Sequence, residues 1–347
     1  MGVDIGGRQI KAVQMSHGLR GRCVEATAVF ARSEVNAPPD RAEVRRLAQV
    51  LRRRSFLGNE IVLAVPGDKQ ITGTMELPAR SAAISFDAAA RMEFSRAYKC
   101  EQNTFEMAYW DLPAPARAAR TTNVMAVACA HADADALLDL FAAEGLEVIG
   151  LDTRPWAMAR ACVGVDDAAG IVVLLEIGWN AALLVILHGG VVIYERTLAE
   201  SGLSVLEGEI QSSLKLEPEV TQFALFHSGL LPLVLDEAVF KEAASVPAEL
   251  RGEVRGVASA HFERIIQELT QSISYTTGQY PDAAVSRLLL MGGGAMIPGI
   301  ADHVQGIAGF ETRVVTPLAS ATCAAAVARE CGAAMTTAAG LAMFDAM

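Results

Sequence analysis

The sequence predicts an α/β protein of two similar domains, each built around a hairpin whose turn contains glycine. Three observations support this prediction. Apolar segments of strand length alternate with segments of helical periodicity along the chain. One hairpin pattern, an apolar strand ending in an acid, Ile and Gly and followed by a second apolar strand, occurs at residues 3–15 and again at 171–186. A third strand, 288–291, stops in three consecutive glycines. An internal repeat on this scale determines the whole architecture.

The composition limits the class of protein. The chain has 347 residues, 52% of them hydrophobic, which is enough for two domains with separate cores. Its net charge of -11 argues against nucleic acid as a partner, because phosphate binding needs a basic face. The apolar runs are of strand length, far below the roughly 18 residues of a membrane helix, and no signal peptide opens the chain. We therefore expect a cytoplasmic protein without a membrane anchor, although the short first strand leaves open whether residues precede Met1.

The six cysteines and six histidines are scattered along the chain. They form no C-x-x-C pair and no histidine pair at i, i+4, so the sequence predicts free thiols in a reducing compartment and no metal centre of His and Cys. It also offers no nucleophile–base triad.

The first half of the chain alternates strands and helices. The predicted strands are 8–15, 23–32, 61–65, 71–77, 105–110, 123–129 and 146–151, and the predicted helices are 41–54, 86–98, 131–144 and 155–162. The arginine-rich helix 41–54 could contact an acidic partner or present a solvated face, and the lack of interleaved aromatic residues favours the solvated face. The Pro/Ala/Arg-rich segment 113–122 marks a boundary. We predict a domain I of residues 1–70 and 120–165, with a small subdomain inserted over 71–119.

The second half predicts a domain II of residues 166–203 and 285–347, carrying a helical subdomain over 204–284. Its further predicted elements are a strand at 191–197, helices at 204–214, 220–228, 250–280, 321–331 and 335–344, and a less regular segment at 232–247. The apolar stripe of helix 250–280, from Phe262 to Tyr275, indicates core rather than interface. No basic amphipathic helix ends the chain, so no membrane anchor is predicted there.

The three glycine turns are the candidate ligand site. A strand that stops in glycine lets backbone N–H groups approach a ligand with no Cβ in the way. Such turns are also common in α/β proteins that bind no ligand there. Two facing hairpins with the third turn beside them could hold a nucleotide in a cleft between two domains. Taken alone, Asp4 could equally cap a turn, and Lys11 could lie exposed on a strand.

The order and spacing of these turns resemble the actin-like ATPase superfamily, whose domains are ribonuclease H-like. The closer resemblance is to the PilM family of type IV pilus assembly proteins, which is related to FtsA. The stretches that resemble it are 2–11, 124–161, 175–202 and 265–304, and segment 65–78 with Glu93 looks like the family's inserted subdomain. The resemblance covers nearly the whole chain and implies an actin-like two-domain fold with an inserted small subdomain.

The resemblance also implies ATP and Mg²⁺ as ligands and assigns the site residues. The first phosphate loop would hold Asp4, which orients Mg²⁺ through water, and Lys11 would face the phosphates. A second loop would lie opposite, and the triple glycine would back the adenosine. The implied cofactor-binding residues are Asp4, Gly6, Gly7, Lys11, Glu176, Gly178, Asn180, Gly292, Gly293 and Gly294. In physical terms, backbone N–H groups and one cation hold the phosphates while acids hold the metal.

Several departures from the family pattern predict a degenerate nucleotide site. They lie at Gly7, Glu176, Ala181, Ala182, Gln222 and Leu225. The family has a hydroxyl residue at position 7, an Asp at 176 and threonines at 181 and 182. A gapless alignment places a Glu/Lys pair that faces the nucleotide at 222 and 225. Each lost charge-assisted hydrogen bond would weaken binding by roughly 1.5–3 kcal/mol, so a few losses could abolish micromolar affinity.

The resemblance implies a scaffold of a type IV pilus or type II secretion-like machine. Such a chain would bind the N-terminal peptide of a PilN-like inner-membrane partner in a groove near the inserted subdomain. It would link pilus motor components to the inner membrane, to which its partners recruit it, and would be at most a weak ATPase. Two alternatives stay open. A sugar-kinase-like enzyme needs a carboxylate base, for which we find no convincing candidate. An FtsA-like filament needs an amphipathic C-terminal helix, which 336–347 does not supply.

Overall fold

The protein's structure, a computed structural model, describes residues 1–18, 21–80, 85–113, 121–164, 170–232, 241–323 and 327–344. These residues form a six-stranded sheet, a five-stranded sheet and a three-stranded sheet, with helices packed on them. The predicted α/β class and the predicted strand–helix alternation are therefore confirmed. Parts of two predicted irregular segments, at 114–120 and 233–240, lie outside the described residues.

The six-stranded sheet starts with the N-terminal hairpin. Its first elements are β1 (Gly2–Ile5), β2 (Gln9–Gly18), β3 (Gly21–Ala31), α1 (Arg41–Arg53) and β4 (Glu60–Ala64). β1 pairs antiparallel with β2 and parallel with β4, which places it inside the sheet. The Asp40 carboxylate caps α1 by accepting a 2.7 Å hydrogen bond from the Glu43 N–H. α1 covers the sheet with Val44 and Leu47, while most of its arginines are exposed and Arg46 contacts Phe30 of β3.

The small subdomain is a separate antiparallel sheet covered by one helix. Its elements are β5 (Gln70–Pro78), α2 (Phe86–Tyr98), β6 (Phe105–Asp111) and β7 (Thr121–Ala130), and its strand order is β5-β7-β6. β7 is the central strand, so the sheet includes residues that the sequence analysis placed in domain I. The reason is the alternation along β7, which turns Val124 and Ala126 toward the buried Phe94 of α2.

The chain then returns to the first sheet. The elements are α3 (His131–Ala142), β8 (Glu147–Asp152) and α4 (Arg154–Ala161), and β8 pairs parallel with β4. Thr153 caps α4, its hydroxyl accepting a 3.3 Å hydrogen bond from the Trp156 N–H, and Pro155 fits the first turn. Arg154 is therefore held at the beginning of α4, directly after the carboxyl end of β8.

The second half of the chain forms the five-stranded sheet, with strand order β11-β10-β9-β12-β13, and we call the part built on this sheet domain II. Its elements are β9 (Ile171–Ile177), β10 (Ala182–His188), β11 (Val191–Leu198), α5 (Leu203–Leu214), α6 (Pro218–His227), α7 (Lys241–Ala244), α8 (Ala248–Gln279), β12 (Val285–Met291), α9 (Ile300–Ala308) and β13 (Thr312–Val314). Every residue of β9 is buried. The stripe of α8 packs into this core through Phe262, Ile266 and Leu269, as predicted, whereas Tyr275 is exposed.

The C-terminal segment crosses back to the first sheet through β14 (Thr322–Cys323) and α10 (Thr336–Ala342). β14 pairs parallel with β3, and α10 packs so closely on β1 that a Cβ on Gly2 would lie 2.1 Å from the Ala338 carbonyl oxygen. The predicted helix 321–331 is wrong: the described part contains β14 and a 3-10 turn at 328–330, and 324–326 lie outside the described residues. The alanine-rich run favours a helix locally, but the open edge of β3 supplies strand partners instead.

Candidate functional site

The two predicted hairpins have the same turn geometry. In the β1–β2 turn the Gly6 N–H donates to the Gln9 carbonyl oxygen at 3.0 Å. In the β9–β10 turn the Gly178 N–H donates to the Ala181 carbonyl oxygen, also at 3.0 Å. The internal repeat read from the sequence is therefore real at the level of individual hydrogen bonds. We call the space between these two turns the cleft.

A guanidinium that sequence reasoning missed lies between the acids of the two hairpins. Asp4, at 1% exposure, accepts a 3.0 Å hydrogen bond from Lys11 on one carboxylate oxygen and a hydrogen bond from Arg154 on the other. The Arg154 Nη1 atom lies 3.6 Å from the Glu176 Oε2 atom, so the same guanidinium faces the second acid. Thr337 of α10 donates a 2.7 Å hydrogen bond to the Glu176 Oε1 atom. The predicted residues Asp4, Lys11 and Glu176 thus meet around Arg154.

These contacts shift the pKa values of Asp4 and Arg154. Burial by itself would raise the pKa of Asp4, but the positive charges of Arg154 and Lys11 outweigh it and hold that pKa well below its usual range. The negative charges of Asp4 and then Glu176 raise the pKa of Arg154. Asp4, Glu176, Lys11 and Arg154 therefore form a group of two acids and two cations whose formal charges cancel. A buried carboxylate is tolerated when it is paired in this way.

The turns of the two hairpins touch each other at Gly7. A Cβ on Gly7 would lie 2.6 Å from the Oδ1 atom of Asn180 in the opposite turn and 2.6 Å from that of Asn36. The Asn36 N–H also donates to the Gly7 carbonyl oxygen at 2.9 Å. The hydroxyl residue that the family has at this position would therefore need both asparagine side chains to move. Gly7 therefore lets the two turns approach each other closely without displacing these side chains.

Arg8 connects the first turn with domain II. Its guanidinium lies 4.5 Å from the ring centroid of Trp179 and 3.3 Å from the Glu207 carboxylate of α5. Gln222 donates a 3.1 Å hydrogen bond to the other oxygen of Glu207. Burial raises the pKa of Glu207, opposed by Gln222 and Arg8. Gln222 therefore lies beside the Arg8–Glu207 pair. Leu225 is fully buried in the domain II core, so the gapless alignment, which places position 225 facing a nucleotide, is wrong.

The triple glycine mainly serves packing. Gly292 has φ +84°, and a Cβ on it would lie 2.7 Å from the Ile177 carbonyl oxygen at the end of β9. A Cβ on Gly294 would lie 2.2 Å from the Ile177 side chain. Gly293 has more room, since its nearest neighbour would be the Leu203 side chain at 3.4 Å. Of these glycines, Gly293 is the one whose backbone has room to approach a ligand.

The side chains present do not fit a Mg²⁺ ion at this place. Mg²⁺ requires oxygen ligands in near-octahedral geometry, usually carboxylates and waters. Both oxygens of Asp4 and one of Glu176 accept hydrogen bonds from protein donors. The remaining oxygen, Glu176 Oε2, accepts none from any described residue and faces Arg154. A metal ion here would meet two fixed cations and would have to displace at least one. Within the described ranges, no cluster of three or more His, Cys, Asp or Glu side chains forms another metal site.

The missed residues come from distant parts of the chain. They are Arg8, Arg154, Glu207 and Thr337. Arg154 carried a local signal, because an arginine follows the cap residue Thr153 at the end of a predicted strand. Glu207 interrupts the buried face of α5, which is an unusual position for an acid.

The family model of the type IV pilus assembly protein PilM matches residues 2–345. The chain belongs to the PilM family. A search of curated proteins found no match.

Solved structures support the same fold. A chain of the PilM-PilN type IV pilus biogenesis complex is 19% identical, with a TM-score of 0.74, and the match covers 100% of this chain and 98% of that one. The ethanolamine utilization protein EutJ from Carboxydothermus hydrogenoformans is 14% identical with a TM-score of 0.54, over 99% of this chain and 88% of EutJ. MreB5 of Spiroplasma citri bound to ADP is 11% identical with a TM-score of 0.53, over 99% and 95%. The predicted actin-like fold of this PilM-family chain is confirmed.

Proposed function

We propose that this PilM-family chain is a cytoplasmic scaffold of a type IV pilus or type II secretion-like machine. In this role it binds the N-terminal peptide of a PilN-like inner-membrane protein and connects it to motor components. Family membership supports the pilus role, and a similar chain was solved in a PilM-PilN complex. No helix of the described residues has the length and hydropathy needed to cross a bilayer. We propose that the chain reaches the inner membrane through this partner.

The observation that carries the proposal is a groove on the small subdomain. It has a volume of about 620 Å³ and lies between β5, α2 and the start of β7. The groove is lined by Thr74, Met75, Glu76, Leu77, Pro78, Glu93, Arg96, Ala97 and Thr121. β5 is an edge strand of the described sheet, so its outer backbone groups can pair with an added extended segment.

The charges of the groove favour a peptide with a positive group. Two of the lining residues, Glu76 and Glu93, are acids, and one, Arg96, is basic. Arg96 pairs with Glu93 at 2.5 Å and lowers its pKa, while Glu76 accepts a 2.7 Å hydrogen bond from Thr121. The surplus carboxylate suits a free N-terminal amine or a Lys or Arg side chain.

We propose that the cleft contributes to this scaffold chiefly by joining the two domains. MreB5 was solved with ADP, which supports affinity for nucleotide in this fold. In this chain we propose weak ATP binding without appreciable hydrolysis, because the cleft acids are paired with protein cations. A sugar-kinase-like activity would need a free carboxylate base, and Asp4 and Glu176 are both engaged.

The test uses a labelled peptide from the N-terminus of the PilN-like protein of the same organism, titrated with the full chain and followed by fluorescence anisotropy. We expect a micromolar Kd, and we expect Glu93→Lys to weaken binding at least tenfold, or by about 1.4 kcal/mol. The matched control is Glu268→Lys on α8, because Glu268 is also a helical acid paired with an arginine. No anisotropy change with about 100 µM protein would contradict the proposal.

A further inference from the structure

The two acids of the cleft stand at equivalent places in the repeated hairpins, and each precedes its turn by the same number of residues. Asp4 precedes the turn at Gly6, and Glu176 precedes the turn at Gly178. A pair of facing carboxylates is a typical environment for a divalent cation. Here the guanidinium of Arg154 contacts Asp4 and lies 3.6 Å from Glu176. We infer that Arg154 replaces the divalent cation of this cleft, so that the protein holds its two domains together without Mg²⁺.

Charge balance supports the inference. With Arg154 and Lys11 present, the formal charges of Asp4 and Glu176 are cancelled by protein groups. Without Arg154, the two carboxylates would keep a single cation, the Lys11 ammonium that contacts Asp4. Glu176 would then keep its single hydrogen bond, from Thr337. Such an unbalanced acid pair is the condition under which a cation binds.

The position of Arg154 is fixed by its surroundings. It begins α4, whose next turn packs Ala157 so tightly that a Cβ on Gly340 would lie 1.8 Å from the Ala157 carbonyl oxygen. The neighbouring acid Asp152 does not compete for Arg154, because its oxygens accept from the Thr153 N–H and from Arg160. The backbone of Arg154 is therefore held rigidly beside the cleft.

Local helix energetics give no reason for an arginine at this place. The N-terminal end of a helix carries partial positive charge, which disfavours a cation there. The carboxylates of Asp4 and Glu176 supply the favourable interaction instead, and Asp4 lies 150 positions away from Arg154 in the sequence. Arg154 is thus explained by the cleft and not by its own helix.

The experiment uses Mn²⁺ as the probe, measured on the full chain by electron paramagnetic resonance and by thermal unfolding. We expect no binding by the wild-type chain at millimolar Mn²⁺. We expect Arg154→Ala to bind Mn²⁺ and to gain roughly 5 °C in Tm at saturating metal. The further substitution Asp4→Asn should abolish that binding. Arg196→Ala, which breaks the exposed Arg196–Glu268 pair, is the control and should gain no metal response.

Two results would overturn the inference. One is Mn²⁺ binding by the wild-type chain that Asp4→Asn removes, because Arg154 would then not exclude the metal. The other is a folded Arg154→Ala variant that binds no Mn²⁺. Should Arg154→Ala fail to fold, Arg154→Gln, whose side chain is longer than that of alanine, takes its place in the Mn²⁺ measurement. The comparison of wild type with Asp4→Asn is made in either case. The inference concerns the cleft alone, so the peptide titration at the groove tests the proposed function separately.

Discussion

The cleft and the groove contain the same kinds of charged side chains but differ in burial. In the cleft, the Asp4 and Glu176 side chains are at most 5% exposed, and both face the guanidinium of Arg154. In the groove, the side chain of Arg96 is 77% exposed and that of Glu93 is 28% exposed. Buried pairs are costly to break, whereas exposed pairs contribute little and exchange easily for a partner's charges.

The difference is consistent with the scaffold role that we propose for this chain, whose fold is shared with MreB5, solved bound to ADP. The acids and cations of the cleft pair with one another, while the groove leaves an edge strand and a surplus carboxylate toward solvent. We therefore expect substitutions in the cleft to change the free energy of unfolding, and substitutions in the groove to change the affinity for the partner peptide. Four predictions, from the largest effect to the smallest, test that expectation.

The largest effect is expected at the third glycine turn. Gly292→Ala should lower the free energy of unfolding by about 3 kcal/mol, because it forces a left-handed φ on alanine and brings Cβ to 2.7 Å from the Ile177 carbonyl oxygen. Gly293→Ala is the matched control and should cost less than about 1 kcal/mol. Urea denaturation measures both. Equal losses for the two variants would contradict the packing role assigned to Gly292.

The second effect concerns the pH dependence of the cleft. The folded pKa of Asp4 lies below its ordinary value of 3.8, so its stabilising contribution is present above that pH and is lost as pH falls through the folded pKa. Asp4→Asn should therefore cost about 2 kcal/mol at pH 7 and flatten the fall in stability below about pH 4. Denaturation curves between neutral and acidic pH compare the two proteins. Parallel curves would exclude Asp4 as the source of the acid sensitivity.

The third effect tests the contact between the two hairpin turns. Gly7→Ser should cost about 1 kcal/mol, because the asparagine side chains it meets are short and can rotate away. The double variant with Asn180→Ala should recover part of the loss, which a double-mutant cycle by thermal unfolding would detect. Strict additivity of the two substitutions would mean that the turns do not press on each other at Gly7.

The smallest effect on stability is expected in the groove. Arg96→Ala removes a pair exposed to solvent and should change the free energy of unfolding by less than about 0.5 kcal/mol. The same variant should alter peptide affinity several-fold, because it changes the net charge of the groove. Calorimetric unfolding and peptide anisotropy on one preparation separate the two effects. A loss of stability as large as that of the cleft variants would break the comparison.

Sequence patterns predicted most of the elements because they act locally. The apolar periodicity of α1 and the apolar strand β9 are properties of short segments, and they appear where predicted. The repeated hairpin was readable because both copies use the same strand, acid and glycine order. The predicted helix 321–331 was wrong, because a short strand from this alanine-rich run pairs with the edge of β3.

The sequence by itself determined the fold class, the family and the places of Asp4, Lys11 and Glu176 on the strands of the two hairpins. Only the tertiary structure decided what those residues contact. Arg154 and Thr337 lie 150 and 161 positions from the acids they approach, and Glu207 lies 199 positions from Arg8. Pairings at such separations leave no trace in local periodicity, because they depend on how whole sheets pack. For this reason the chemistry of the cleft, in contrast to its strands and turns, became visible only in the folded chain.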